Sequence, residues 1–351
     1  MGTNLLLVNL KPPALISLQT ALSKSALPRT WKRIGELTLT LGNTLFSEVL
    51  NDAIKKNISY IRFYVNTLQS LAFCYNEQKE RGKMYCEFYG FKERPFNITS
   101  DPSFFFSSKN HKEALAHLLY GVSQRKGIIV LTGEIGTGKT TVCRFLLNQL
   151  GKNIKTAFIL NPHTSETQIM ESIIRDFGIP FKQNSKPDML QKLNTFLLKE
   201  SQAGNNVLLI IDEAQNLTPG ILEQLRLLSN LETEKDKLLQ VILVGQPELN
   251  EKLNLFNLRQ LRQRIMVRYH IGMLEAEEVK DYINHRIQIG RPQKNIEFLD
   301  QAIKLIVDFS KGTPRLINML CDRALLAGFV AEKNQINAEM INKCIEEFQN
   351  Y

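Results

Sequence analysis

From Gly127 onward, short apolar runs alternate with longer amphipathic stretches. Ile128–Leu131 and Thr156–Leu160 have the length of strands, and Val207–Ile211 and Leu239–Val244 the length and continuity of buried strands. Between them lie predicted helices: one from a Gly-rich turn through Leu150, then Glu166–Phe177, Pro187–Ser201 and Gly220–Leu228. Strands alternating with helices predict a parallel sheet covered on both faces. After about Leu274 the strand-like runs stop. Glu275–Gln288, Ile296–Phe309, Pro314–Ala331 and Ala338–Phe348 read as four helices, so a second, all-helical domain is expected. No internal repeat or low-complexity stretch is visible.

Residues 1–83 follow a different pattern. Pro12, Pro13 and Pro28 interrupt the first third, and Ile54, Ile58, Ile61, Tyr64, Val65 and Leu68 recur at helical spacing within Asn51–Glu80. No chemical motif lies there. Met84 opens MYCEFYGFKERPF, which has the look of a natural start. Residues 1–83 are therefore either an extension of unknown role or upstream sequence read through to an earlier start codon. The expected division is 1–83 extension, 84–273 α/β core and 274–351 helical domain.

The strongest chemical signal follows the first strand. Gly133-Glu134-Ile135-Gly136-Thr137-Gly138-Lys139-Thr140 matches GxxxxGK[ST] between an apolar strand and an amphipathic helix. Glycines let the backbone curl so that successive N–H groups face phosphate oxygens. The helix beginning near Gly138 adds its positive end. Lys139 is placed to reach the β- and γ-phosphates of ATP, and the Thr140 hydroxyl to ligate Mg²⁺. The next signal is Val207–Ile211 running into Asp212 and Glu213. A central parallel strand delivers such residues to the sheet's carboxyl edge, where ligands bind. Asp212 can serve Mg²⁺, and Glu213 can orient and deprotonate the attacking water.

Three further groups are candidates. Gln246 follows the apolar run ending at Val244, where an amide could hold the water or touch the γ-phosphate. Arg259, Arg262, Arg264 and Arg268 crowd one short stretch, as a solvated face or as a reach toward a neighbouring subunit's nucleotide. Arg315 follows Gly312-Thr313-Pro314 at a helix start, where a cation is unfavourable unless an anion is near.

Composition narrows the picture modestly. The 351 residues are 43% apolar and 23% charged, ordinary for a soluble globular chain. No apolar run approaches the roughly 18–20 residues that span a bilayer, and no secretory signal opens the chain. A cytoplasmic protein is expected, unless a partner holds it at a membrane. Five cysteines without a CxxC pair suggest reduced thiols rather than a disulfide or zinc framework. The net charge of +9 is uneven: residues 1–83 hold 11 Lys/Arg against 5 Asp/Glu, the remainder 33 against 30. It is weak evidence for a nucleic-acid or anionic partner.

These motifs in this order resemble an AAA+ ATPase. The likeness extends to whole phrases: FYGFKERPFNITSDPSFFF, HKEALAHLLYGV, GIIVLTGEIGTGKTT, LLIIDEAQNL, LEQLRLLSNLET, ILVGQPEL and LRQLRQRIMVRYHIGML are similar to the ExeA/GspA family of secretion-pathway ATPases, from Met84 to about Phe348. The resemblance implies a P-loop NTPase core of parallel-sheet α/β class followed by a C-terminal helical lid. It implies that Gly133, Glu134, Ile135, Gly136, Thr137, Gly138, Lys139, Thr140 and Thr141 form the Walker A nucleotide site, and Asp212 and Glu213 Walker B. Gln246 takes the sensor-1 position and Arg315 sensor 2. Arg264, or secondly Arg262, is the arginine finger supplied to a neighbour in a homo-oligomer. Family members continue into a membrane helix and a peptidoglycan-binding domain. The implied partner is an envelope secretion-assembly protein. The alternative, from similar ATPase-plus-lid proteins, is duplex DNA and a transposase. A third output is a slow nucleotide switch, against which an intact Glu213 argues.

Overall fold

The computed structural model describes residues 85–160, 162, 165–180, 185–232 and 237–349. The one or two helices expected over Asn51–Glu80 lie outside them. Five strands form one parallel sheet: β1 (Ile128–Gly133), β2 (Ile154–Ile159), β3 (Asn206–Ile211), β4 (Gln240–Gly245) and β5 (Ile265–Ile271). Their spatial order is β2-β3-β4-β1-β5. The order explains the sequence pattern. β1, β3 and β4 are central and buried at every position, so they read as continuous apolar runs. β2 and β5 are edges with mixed burial. β5 is a strand that the hydrophobic pattern did not predict, because Arg268 and His270 interrupt it.

Helices cover both faces. Ile129, Leu131, Leu208, Ile210, Ile242 and Val244 pack against α1 (Lys109–Ser123) and α2 (Lys139–Gln149). The alternate residues Ile128, Val130, Leu209, Ile211, Val241 and Leu243 pack against α3 (Glu166–Asp176), α4 (Lys186–Gln202) and α5 (Pro219–Leu228). The period of two along each strand thus builds two cores from one sheet. Helix starts follow their sequence signals: Ser165 and Gln168 form a capping box on α3, while Thr218 caps α5 with Pro219 in its first turn. Two short helices, α6 (Glu248–Leu253) and α7 (Arg259–Gln263), lead from β4 to β5.

The C-terminal part contains α8 (Ala276–Ile289), α9 (Asp300–Ser310), α10 (Pro314–Val330) and α11 (Ala338–Gln349). It also has one addition to the helical expectation. Glu297–Phe298 (β6) and Gln335–Ile336 (β7) pair in parallel, so the predicted helix at Ile296 starts instead at Asp300. The segment before α1, grouped with the core in the sequence-based division, contributes Tyr85, Tyr89, Phe91 and Phe96 to the same apolar cluster as Ile283, Leu320 and Ile341. Tyr89 Oη donates to the carbonyls of Leu325 and Lys333. Among the described residues, no helix is long and apolar enough to cross a membrane.

Candidate functional site

The loop after β1 curls because Gly136 and Gly138 adopt φ of +82° and +91°, which residues with a Cβ avoid. There is also no space: a methyl on Gly133 would lie 2.8 Å from the Ile271 carbonyl oxygen, and one on Gly136 2.6 Å from Arg315 Cβ. Lys139, the first residue of α2, is buried and bends back over the loop. Its Nζ donates to the carbonyls of Gly133 and Glu134, both at 2.8 Å. Burial lowers the ammonium's pKa, while Glu213 and Asp212 act in the opposite sense.

At the end of β3, one strand removed from β1 across β4, the Thr140 hydroxyl donates to Asp212 Oδ2 at 2.5 Å. Asp212 is 2% exposed. Burial raises its carboxyl pKa, opposed by the bonds from Thr140 and from the Glu213 N–H. Glu213 occupies left-handed backbone at φ +54°. Its Oε2 accepts from Gln215 Nε2 at 2.6 Å and from Gln246 Nε2 at 3.3 Å. The second Gln215 amide atom, Oε1, accepts the Gln246 backbone N–H at 3.1 Å.

These ends meet α10 across a cleft of about 310 Å³. Ile135, Gly136, Gly138, Lys139, Thr140 and Thr141 line it from the loop and α2, Glu213 and Gln246 from the sheet, and Arg315 from α10. The Arg315 backbone N–H donates to the Gly136 carbonyl at 3.2 Å, so the helical part touches the loop directly. Gly133, Glu134, Thr137 and Asp212 do not line the cleft. The first three shape the loop, and Asp212 sits behind Thr140. Arg264 is not brought to this site. It follows α7 at the start of β5, half-buried, with Glu232 nearby. Arg262 is exposed and donates to the Asn254 carbonyl and Oδ1.

Several contributors carried no sequence motif. His111 Nε2 lies 2.9 Å from the Thr137 carbonyl and its Nδ1 2.6 Å from Ser108 Oγ. The only tautomer satisfying both donates through Nε2 and accepts the serine proton at Nδ1. Burial lowers this imidazole's pKa, against the pull of the Thr137 bond. On the far wall, Arg286 is 6% exposed and bonds the carbonyls of Pro95 and Asn97 and the Tyr282 hydroxyl. Tyr282 in turn donates to Asn318 Oδ1 at 2.9 Å. A buried arginine at a helical a/d-like position gives no signal of its own in one sequence, since its carbonyl partners lie 189 and 191 residues away.

The donor set suits the ligands that the motifs imply. Thr140 and Asp212 place hard oxygen atoms together, as Mg²⁺ requires. The left-handed glycines open a concave loop at a helix N-terminus, which suits a polyphosphate.

Comparison with known proteins gives the family and the fold. Residues 122–253 match the AAA domain family. General secretion pathway protein A of Aeromonas hydrophila is 45% identical over 254 residues, 72% of this chain and 46% of that protein. The chain belongs to the general secretion pathway protein A family of AAA+ ATPases. It spans about half the length of that curated relative. Among solved structures, the ORC2 protein of Aeropyrum pernix, in complexes with ADPNP and ADP, superposes with a TM-score of 0.55 at 18% identity, covering 73% of this chain and 72% of that one. Cdc6p of Pyrobaculum aerophilum gives 0.56 at 19%, covering 69% and 68%. These distant likenesses establish the shared fold: a P-loop NTPase sheet followed by helices.

Proposed function

We propose that this general secretion pathway protein A homologue binds Mg·ATP in the cleft between sheet and helical lid and hydrolyses it to ADP and phosphate. The observation that carries the reading is the convergence of Lys139, Thr140, Glu213, Gln246 and Arg315 on one cleft beside the curled loop. These residues come from four separate places in the sequence, spread between 139 and 315.

The roles follow from chemistry. Lys139 exchanges the Gly133 and Glu134 carbonyls for phosphate oxygens, which are stronger partners for an ammonium. Thr140 and Asp212 would hold Mg²⁺, which supplies charge neutralisation of the phosphates when bound. Glu213 accepts a proton from the attacking water as its oxygen bonds to the γ-phosphorus. The bond from that phosphorus to the β,γ-bridging oxygen breaks, and ADP leaves. Gln246 orients the water or the γ-phosphoryl oxygens. Arg315, on the lid, neutralises charge on the phosphates and thereby favours closure of the lid over bound nucleotide.

We further infer a homo-oligomer in which Arg264 serves the next subunit's cleft. Its position just before the edge strand β5, where Ile265 pairs with the first residue of β1 at the end opposite the loop, supports supply in trans. The relative's name supports a secretion-assembly partner over the DNA alternative. Turnover of ATP by the full chain, followed by phosphate release across a dilution series with and without duplex DNA, tests all three statements. Specific activity should fall on dilution and should not respond to DNA. No phosphate release at any concentration would refute the ATPase reading. Stimulation by DNA that fades steeply with salt would replace the secretion partner.

A further inference from the structure

We infer that Gln215 is a positioning residue for the reaction: it sets the carboxylate of Glu213 by bridging the ends of β3 and β4. This rests on the ATPase reading and deepens it. Gln215 does not line the cleft, so it does not touch substrate. Its side-chain amide is used at both ends. Nε2 donates to Glu213 Oε2 at 2.6 Å, and Oε1 accepts the Gln246 backbone N–H at 3.1 Å. The two residues it joins both face the cleft, one from each strand end.

The surroundings show why the amide stays there. A methyl group on Gly245 would lie 2.9 Å from Gln215 Oε1, so the glycine leaves room for the amide. On the other side, Lys252 Nζ donates to the Gln215 and Leu217 carbonyls, which ties the backbone of this turn to α6. Glu213 itself needs such a restraint. Its left-handed backbone directs a flexible side chain, and the Gln246 bond alone, at 3.3 Å, is long. With Oε2 held by Gln215, the orientation of Oε1 is set, and that oxygen remains to accept the water proton. Misplacing a general base by about 1 Å costs on the order of 100-fold in rate.

The test uses the full chain, with turnover measured at saturating ATP and nucleotide affinity measured by calorimetry. Gln215→Ala removes both bonds. Gln215→Glu keeps the size and the oxygen that accepts from Gln246, but sets a second carboxylate against Glu213. Gly245→Ala changes no residue that lines the cleft and places a methyl 2.9 Å from Gln215 Oε1, with Leu249 Cδ2, at 3.0 Å, the next nearest atom. Each should lower kcat by roughly 10- to 100-fold, with the ATP Kd within about twofold of the parent. The Gln215→Ala, Gly245→Ala double variant should be no slower than the worse single variant, because the nearest atom to the added methyl is the Gln215 amide oxygen that Gln215→Ala removes. Parent turnover with kcat unchanged in the Gln215 variants would overturn the inference. Losses in kcat matched by equal losses in affinity would also overturn it, since they mark a merely structural residue. A parent chain that does not hydrolyse ATP would remove the ATPase reading itself, and this role with it.

Discussion

Gly312 is the position where one methyl group should do most damage to the junction between sheet and lid. It follows Lys311 in consecutive left-handed conformations, with φ of +49° and +75°. Its carbonyl accepts the Leu274 N–H at 2.9 Å, and a Cβ added to it would stand 2.1 Å from the Leu274 carbonyl oxygen. Alanine therefore meets two penalties. Left-handed backbone costs roughly 1–2 kcal/mol. The obstacle is backbone, not a side chain that can rotate away, so overpacking of about 1–3 kcal/mol and loss of a hydrogen bond worth about 1 kcal/mol follow. Reduced freedom of the unfolded chain returns about 0.4–1 kcal/mol. The net expectation is about 4 kcal/mol of destabilisation. Gly178 is the control: it has φ +71° but nothing within 4 Å of an added methyl group, so Gly178→Ala carries the strain without the clash, about 1 kcal/mol. Urea unfolding followed by circular dichroism gives both values, and calorimetry gives the ATP affinity. Gly312→Ala should also weaken ATP binding, because Arg315 lies three residues on and its N–H meets Gly136. If Gly312→Ala proves no more destabilising than Gly178→Ala, the reasoning about the junction is wrong.

Three other perturbations probe the cleft. Lys139→Ala should abolish ATP binding in calorimetry or weaken it severely, and unchanged affinity would contradict the phosphate-site assignment. Arg264→Ala should bind ATP and turn it over slowly. Mixing it with Glu213→Gln should restore part of the phosphate release, because a subunit lacking Glu213 can still lend Arg264; mixtures no faster than either parent would argue against supply in trans. Stability should fall as pH drops below about 6.5, the unfolded imidazole value. The folded His111 and His285 sites resist protonation, so the unfolded chain takes up protons first until the folded imidazoles also titrate. His111→Gln should shrink the stability difference measured between pH 7.5 and 5.5, and an unaltered difference would show that His111 does not contribute to it.

What could be read in the sequence was what depends on local order. The phosphate loop, the acids after β3 and the three central strands each occupy a few consecutive residues with strong type constraints. β5 escaped the hydrophobic pattern because it is an edge, and edges tolerate Met266, Arg268 and His270 on their outer face. β6 and β7 are two residues each, too short for any period to register. His111, Gln215 and Arg286 were silent for another reason. Each works through backbone carbonyls, an amide N–H or a distant side chain, and such partners impose no pattern on the neighbouring residues. Gln215 lies within LLIIDEAQNL, a stretch that points to the acids beside it and carries no sign of what its own amide bridges.

The aromatic segment at 85–96 has a consequence for how the protein is made. Tyr89 and the carbonyls that it binds are separated by 236 and 244 residues, with the whole sheet between them. In topological terms the α/β core is an insertion within the helical body. Ribosomes adding about 5–20 residues per second expose Tyr85, Tyr89, Phe91 and Phe96 for roughly 10–50 s before their partners emerge. The core can fold during that wait, since its strands and covering helices lie within the inserted stretch. The lid cannot complete its cluster until synthesis has passed α11, and closing so long a loop adds to the entropic cost of the last step. Chaperone binding to the nascent chain should therefore centre on this aromatic segment and be released late.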